Sequence, residues 1–422
     1  MEKRQISVQV IESLRRGLPP QRGVDLYSVG GEKLIEGVKK YHLRGIAEQG
    51  IIRFINGSWG SGKTHFFRLF REVAFQGDCL VSNVELNAND AALNKFERIF
   101  YSIVRNISTP TYFREHATAE AAPFGTVVRE SLGYLATGSR TITNEIPHEH
   151  YTTACGVLMA DHSIDVDLKK MLQEYWKTFL PEAPEPSIQE QTRAEILQWF
   201  SGEGMLGQYR KRFGVNKIVN KDNAKLMLQS LAGFVRLSGY RGLVILFDEA
   251  EMTYSTVRKT ALREAHNNLL SLINNIESLN GLFLLYATTP DFYTHPKHGI
   301  VIYGALATRI GKPESRIPRA LDTIWNLDAV ETSLPEYQDA SRKIRQVYAD
   351  AFAQAALSLP SDVDVDKFVT KLHEIHPSLS HVRFWRALMT ALIAHFDDHQ
   401  EGQIRPAQEV YEDVMERLRE EP

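Results

Sequence analysis

Residues 56–70, NGSWGSGKTHFFRLF, crowd glycine, serine and threonine around one lysine directly before an apolar run. The segment from Gly57 to Thr64 matches the pattern G-x-x-x-x-G-K-[ST] at every fixed position. Glycine tolerates backbone angles that other residues resist, so successive N–H groups can point at one anion while the next helix presents its positive end. A tight turn is the simpler interpretation, but the pattern favours a phosphate-binding loop, or P-loop.

The flanks of this segment are those that a P-loop requires. Before it, GIIRFI (residues 50–55) is typical of a short buried strand, and after it Phe66, Phe67 and Phe70 recur at helical spacing. In such a loop the lysine reaches the β- and γ-phosphates, and the threonine hydroxyl is offered to magnesium. The residues predicted to bind ATP are therefore Gly57, Ser58, Trp59, Gly60, Ser61, Gly62, Lys63, Thr64 and His65.

The composition of the 422-residue chain is that of an ordinary globular protein, with 43% hydrophobic and 24% charged residues. Its length favours two or three domains. A net charge of −3, from 49 basic and 52 acidic residues, excludes a global basic field for nucleic acid and leaves only a local patch open. Cys79 and Cys155 make no disulfide framework, and neither a signal core nor a membrane-length apolar run is evident. We expect a cytoplasmic protein.

Strands alternate with helices in the middle of the chain, which predicts an α/β fold with a parallel sheet flanked by helices. The runs GLVILFDEAE (242–251) and GLFLLYATTPDF (281–292) begin continuously apolar, as strands buried on both faces do. We expect N-terminal helices, one from about residue 32 to 49, and an adenine-side loop within residues 1–50. We then expect a P-loop ATPase core over 51–334, a mostly helical insertion at about 108–220, and a C-terminal helical lid over 335–422.

An acidic pair, Asp248 and Glu249, closes the first of these apolar strands. A carboxylate at that strand end can hold magnesium, and a second one beside it can orient and deprotonate an attacking water. Solvated acids also occur at strand ends, but beside a P-loop the pair favours an ATPase over a kinase. Thr289 is the first choice for a polar group that touches the γ-phosphate or the water, and Thr288 is the second, with plain turn chemistry before proline as the alternative.

The succession of P-loop, acidic strand end, polar strand end and C-terminal helices resembles AAA+ ATPases of the origin-recognition-like branch, over about residues 30–400 with the insertion unmatched. Within that branch, GSWGSGKTHFF (57–67), FDEAE (247–251) and ATTPDFY (287–293) are similar to the ATP-binding proteins of BREX bacteriophage-exclusion systems, the BrxD type. The resemblance implies ATP and Mg²⁺ as cofactors. It also implies a homo-oligomer or a complex with other proteins of the defence system.

The resemblance also implies roles for arginines. YGALATRI (303–310) is similar to the helix end where AAA+ proteins place an arginine finger, so Arg309 is the candidate to reach a neighbouring subunit, with Arg316 and Arg319 as rivals. A solvated surface charge is the alternative for each of them.

The segment SHVRFWRALM (380–389) resembles the family's lid helix with a sensor arginine, which implies that Arg383, or else Arg386, binds ATP. Val382 stands where the family usually has a small residue or proline. The loop DLYSVGG (25–31) resembles the family's segment that lies over the adenine.

Two functions fit these features. The first is an ATPase that regulates or remodels a DNA-associated complex in bacteriophage defence, with turnover stimulated by DNA or a partner. The second is a slow nucleotide-dependent switch that recruits partners or selects DNA targets, as transposition-type ATPases do. The predicted catalytic residues are Glu249, Lys63, Arg309 and Thr289, and the predicted magnesium ligands are Thr64 and Asp248.

Contact with DNA is expected to be direct or indirect. The local candidate for direct contact is YRKRFGVNK (209–217), which mixes basic and aromatic residues. A solvated charge run is its plainer interpretation.

Overall fold

The computed structural model describes residues 3–87, 91–116, 121–141, 145–248, 259–352, 358–377 and 383–420. Six strands in this part of the chain form one sheet in the order β3-β2-β4-β5-β1-β6. Every neighbouring pair is parallel except β2 and β3, which are antiparallel. The strands are β1 Ile51–Asn56, β2 Leu80–Glu85, β3 Ile107–Ser108, β4 Leu243–Asp248, β5 Leu282–Thr288 and β6 Ile324–Asn326.

Helices cover both faces of this sheet and form two further groups, one between β3 and β4 and one at the C-terminal end. Their bounds are α1 Lys3–Arg15, α2 Glu32–Val38, α3 Lys63–Gln76, α4 Phe96–Arg105, α5 Pro110–Glu115, α6 Phe124–Thr137, α7 His148–Ala160, α8 Val166–Lys177, α9 Pro186–Phe200, α10 Leu206–Phe213, α11 Ala224–Leu237, α12 Lys259–Asn275, α13 Pro290–Thr294, α14 Gly304–Ile310, α15 Leu334–Ala351, α16 Asp362–Ile375, α17 Phe384–Gln400 and α18 Ala407–Glu420.

The two continuously apolar segments form adjacent central strands, as predicted. All seven residues of β5 are buried, and so are the first five of β4, because helices pack on both faces of the sheet. Side chains alternate between these faces, so Leu282 and Leu284 enter one core cluster while Phe283 and Leu285 enter another. The predicted α/β fold with a mostly parallel sheet is confirmed.

The carboxyl ends of the four central strands meet at one edge of the sheet. Asn56, the last residue of β1, is in register with Thr288, the last residue of β5. Asp248 of β4 is likewise in register with Glu85 of β2. Because β4 and β5 pair directly, these polar ends lie along a single edge, next to the segment that follows β1.

A separate apolar core holds the C-terminal helices together with the first helix of the chain. Val10, Ile11 and Leu14 of α1 are buried in the same cluster as Tyr348 of α15 and Leu392 of α17. The chain's first helix therefore packs against its last ones. The expected division into residues 1–50, 51–334 and 335–422 stays a prediction.

The helix expected from residue 32 to 49 ends sooner. The α-helix α2 ends at Val38 and continues as a π-helical turn over Lys39–Leu43. This turn accompanies the burial of His42, whose Nε2 lies 2.6 Å from the carbonyl oxygen of Ala320. The predicted regular α-helix is thus interrupted where His42 makes a tertiary contact. Among the described residues, no helix combines the length and apolar character that a membrane crossing requires.

Candidate nucleotide-binding site

The segment between β1 and α3 forms a loop whose geometry suits an anion. Gly60 has φ 74° and Gly62 has φ 93°, both in the left-handed region that glycine adopts without strain. Gly62 precedes α3 directly, and, apart from its chain neighbours, no heavy atom of the described residues lies within 4 Å of the position that a Cβ at Gly62 would occupy. The first N–H groups of α3 have no acceptor inside the helix, so they are available to a ligand at its positive end.

Lys63 reaches back across this loop. Its Nζ donates to the carbonyl oxygen of Gly57 at 2.7 Å and to that of Ser58 at 3.3 Å. The same ammonium group lies 5.8 Å from the centre of the Trp59 ring. Trp59 itself is 69% exposed. The loop thus presents a positive charge beside its own backbone amides.

Two further observations show that the loop fits a phosphate chain. The Ser61 hydroxyl is buried and has no hydrogen-bond partner among the described residues. A Cβ at Gly57 would lie 2.1 Å from that hydroxyl oxygen, so only glycine fits there. Thr64, the predicted magnesium ligand in the first turn of α3, is exposed. The loop therefore combines unused donors, a close-packed backbone and an accessible hydroxyl.

Asp248, the first residue of the predicted acidic pair, lies at the same edge of the sheet as the end of β1. Asp248 ends β4 and is half-buried, and its backbone oxygen accepts the N–H of Leu86 at 2.9 Å. Glu249, the predicted base, lies outside the described residues. On the other side of the loop strand, Asn56 donates through Nδ2 to Oδ1 of Asn326 at 2.8 Å.

The two threonines at the end of β5 have different surroundings. The Thr288 hydroxyl donates to the carbonyl oxygen of Ile55 at 3.0 Å and lies 2.9 Å from the hydroxyl of Tyr293. Thr289 precedes α13 without a side-chain hydrogen bond that caps this helix, and only 6% of its surface is exposed. Thr288 thus serves the packing of the sheet, and Thr289 is left as the candidate for a ligand contact.

The candidate arginine fingers also differ. Arg309 is exposed in the last turn of α14. Arg316 is held within the chain, because its Nη1 lies 2.8 Å from a carboxylate oxygen of Asp322 and its Nε lies 2.5 Å from one of Glu314. Arg319 has an exposed side chain, and its backbone N–H donates to Asp322. The geometry leaves Arg309 and Arg319 able to reach outward.

Arg383 and Arg386, the two candidates for the sensor arginine, contact different parts of the chain. The Cγ of Arg383 lies 3.1 Å from the position that a Cβ at Gly60 would occupy, so this side chain lies on the loop. The Nε of Arg386 lies 3.2 Å from the corresponding position at Gly17, beside the end of α1. Of the two, the structure brings only Arg383 to the loop.

Asp328 is a residue of this site that the sequence analysis missed. It follows β6, and its Oδ2 accepts hydrogen bonds from the backbone N–H of Ser58 at 2.8 Å and from the Ser58 hydroxyl at 2.6 Å. Its Oδ1 lies 3.6 Å from Nη2 of Arg383. A lone aspartate in NLDAV (326–330) gives no sequence signal for such a position, because pairing of β6 with β1 brings it to the loop.

His65 contacts a segment that we call the N-terminal strap, residues 17–31. Its Nε2 lies 3.0 Å from the Ser28 hydroxyl and its Nδ1 lies 3.4 Å from the Tyr27 hydroxyl. Burial, together with the nearby charge of Arg68, lowers the pKa of His65 to about 4, so the ring is neutral at physiological pH. Both contacts lie in the predicted adenine-side loop, residues 25–31, which the structure therefore places against the start of α3.

The stretch of residues 209–217 has buried aromatic side chains and mostly exposed basic ones. Tyr209 and Phe213 of α10 are buried. Arg212 pairs with Glu195, and Nζ of Lys217 lies 2.6 Å from a carboxylate oxygen of Asp165. This pattern is that of an amphipathic helix whose charges face solvent and neighbouring acids.

Comparison with known proteins identifies the family of this chain. No match was found among curated proteins. The model of the family described as BREX system ATP-binding protein BrxC/D matches residues 2–413, nearly the whole chain. The resemblance to BrxD-type proteins is thereby confirmed, and the family supports ATP as a ligand of this protein. The chain belongs to the BrxC/D family of ATP-binding proteins of BREX systems.

Proposed function

We propose that this protein is an ATPase of the AAA+ type that hydrolyses ATP to regulate or remodel a DNA-associated complex in BREX bacteriophage defence. The observation that carries the proposal is the strand order. β5 lies between the loop strand β1 and the acidic strand β4. This order supports the proposal, because additional-strand P-loop ATPases have a polar strand end between the phosphate loop and the acidic strand end.

The loop residues have binding roles in this proposal. The amides from Gly60 to Thr64 enclose the β- and γ-phosphates, and the Lys63 ammonium exchanges its carbonyl partners for phosphate oxygens. His65 and the strap fix the side of the site where the adenine of ATP lies. Thr64 and Asp248 are the residues that would hold Mg²⁺, which supplies charge neutralisation at the phosphates when bound.

The remaining residues have catalytic roles. Glu249 accepts a proton from a water as the water's oxygen attacks the γ-phosphorus, and the bond to the β-phosphate oxygen breaks. Thr289, beside that strand end, orients the water or the γ-phosphate. Arg309 of a neighbouring subunit and Arg383 of the lid balance the charge that develops on the transferred group.

The partners in this proposal are further copies of the chain or other proteins of the defence system. Helices α5 to α10 lie between β3 and β4 in sequence, and an ion pair joins this region to the start of β2. Asp78, which precedes β2, is bound bidentately by Arg140 at 2.7 and 2.8 Å. This group of helices is our candidate for the surface that contacts a partner.

Measurement of ATP turnover tests the proposal. We expect hydrolysis by the wild type, stimulated by DNA or a partner, and its loss in Glu249→Gln with ATP binding retained. Lys63→Ala should lose binding and is the matched control. Unchanged turnover in Glu249→Gln would contradict the assigned base, whereas negligible basal turnover with a partner trapped by Glu249→Gln would favour the nucleotide-dependent switch.

A further inference from the structure

Asp328 joins three parts of the chain that are far apart in sequence. It lies in a short turn, Leu327–Ala329, directly after the edge strand β6. One of its oxygens binds the second residue of the phosphate loop, Ser58, and the other lies near Arg383, the residue that precedes helix α17. A single carboxylate therefore links the sheet, the loop and the C-terminal helices.

The bonds to Ser58 distinguish this carboxylate from an ordinary surface ion pair. Exposed pairs contribute little because both side chains must be immobilised. Here Oδ2 of Asp328 accepts both the N–H and the hydroxyl of Ser58 at 2.8 and 2.6 Å, while the Asp328 and Arg383 side chains are 25% and 51% exposed. The carboxylate is thus fixed in place before Arg383 meets it.

Arg383 is held over the loop itself. Its Cγ would be 3.1 Å from a Cβ at Gly60, so its stem lies on the loop backbone, and its Nη2 lies 3.6 Å from Oδ1 of Asp328. A guanidinium binds carboxylate and phosphate through the same planar set of donors. An anion bound in the loop and the carboxylate of Asp328 would therefore draw on one and the same cation.

We propose that Asp328 is a competitor anion, which holds Arg383 until the phosphate chain of a bound nucleotide takes this arginine over. The inference rests on the proposed function, because it places the triphosphate in the loop. Release of Arg383 frees the start of α17, and in this way the occupancy of the loop is transmitted to the C-terminal helices. Because Asp328 competes with the phosphates for Arg383, it weakens ATP binding. When the nucleotide leaves, the negative charge of Asp328 binds Arg383 again.

Calorimetric titration with ATP tests the proposal. Asp328→Asn keeps an oxygen that can accept from Ser58 and removes the charge that holds Arg383. We expect about three- to fivefold tighter ATP binding in this variant, and a smaller gain at high salt, because the interaction removed is that of a partly exposed pair. Asp322→Asn, which removes the same charge from the pair with Arg316, is the matched control and should bind ATP as the wild type does.

A second arm separates competition from simple repulsion. In the background of Arg383→Ala the exchange Asp328→Asn should bring no gain, because the shared cation is absent. The amides of Arg386 and Ala387 donate to the carbonyl oxygen of Arg383 at 3.0 and 3.3 Å. Without nucleotide, hydrogen exchange at these two amides should be faster in Asp328→Asn than in the wild type, and equally fast in Arg383→Ala.

Three results would overturn the inference. They are unchanged or weaker ATP binding in folded Asp328→Asn, an equal gain with Arg383→Ala present, and unaltered exchange at the start of α17. All three are readouts of binding or motion. A failure of the hydrolysis assignment, seen in Glu249→Gln, would leave them untouched.

Discussion

Oε1 of Glu72 accepts the backbone N–H of Gly23 at 2.8 Å, which ties the helix after the phosphate loop to the N-terminal strap. Its other oxygen accepts the N–H of Asp25 at 3.4 Å. On the far side of the strap, Nζ of Lys343 in α15 lies 3.3 Å from the carbonyl oxygen of Ser28. The strap is therefore fixed between the loop helix and the C-terminal helices.

The Glu72 carboxyl gives the fold a pH dependence. Burial, with the neighbouring Asp25, raises the pKa of Glu72 from 4.5 to about 8. Because the pKa is raised in the folded state, protonation of Glu72 stabilises the fold. This contribution to the free energy of unfolding is complete below pH 4.5 and is lost as pH rises towards 8. We expect the free energy of unfolding to fall by up to a few kcal/mol across this window.

Urea denaturation of the wild type and Glu72→Gln at pH 5 and pH 8.5 measures this contribution. Glutamine stays neutral and retains an acceptor for one strap N–H, so its stability should change less between the two pH values. Titrations elsewhere in the chain affect both proteins alike and cancel in the comparison. Equal pH dependence in the two proteins would show that Glu72 is ionised throughout.

The two threonines at the end of β5 should separate stability from catalysis. Thr288→Val keeps the shape of the side chain but leaves the Tyr293 hydroxyl and the Ile55 carbonyl without this partner. We expect a loss of about 1–2 kcal/mol in the free energy of unfolding. Thr289→Val should leave the unfolding transition unchanged and reduce turnover. Denaturation curves and ATPase rates for both variants check this, and the reverse pattern would exchange their roles.

The elements that carry the nucleotide loop could be predicted because their signals are local. Apolar runs mark β4 and β5 as strands buried on both faces, and the glycine pattern marks the loop from Gly57 to Thr64. The strand end at Asp248 followed from the point where the apolar run stops. Each of these inferences uses residues that are adjacent in sequence.

The rest of the site depends on pairings that no local pattern contains. Asp328 lies 270 residues after Ser58 in sequence, and it reaches the loop because β6 pairs with β1. The packing of α1 on the C-terminal helices also joins segments that are far apart in sequence. Periodicity identifies the apolar face of α1 but not the helices that cover it. The sequence named Arg383 first but kept Arg386 as the alternative, and only the direction in which each side chain leaves the start of α17 separates the two.

Trp59 should report nucleotide binding directly. Its ring is 69% exposed, whereas Trp176, Trp199 and Trp325 are fully buried. Phosphates that draw Lys63 from its present position, 5.8 Å from the ring, change the electrostatic surroundings of the indole. We expect a saturable change in tryptophan emission on addition of ATP. Trp59→Phe should remove most of this change while calorimetry still detects ATP. A small remainder is expected from Trp385, which is partly buried at the start of α17, and a signal of unchanged size would place its source outside Trp59.

Arg309 should act on the active site of a neighbouring copy of the chain. Because it is exposed at the end of α14, Arg309→Ala should retain the fold and ATP binding but lower turnover about a thousandfold. Arg316→Ala is the matched control, since that guanidinium is paired with Asp322 within the chain. We expect its turnover to stay within a few-fold of the wild type.

Mixing two inactive variants tests whether Arg309 acts between subunits. An Arg309→Ala subunit keeps Lys63, and a Lys63→Ala subunit keeps Arg309, so a mixed interface contains one complete site. Turnover should therefore appear on mixing and pass through a maximum as the ratio is varied at constant total protein. If no ratio restores activity, although sedimentation shows that the two variants assemble together, Arg309 does not act in trans, and Arg319 becomes the residue to exchange next.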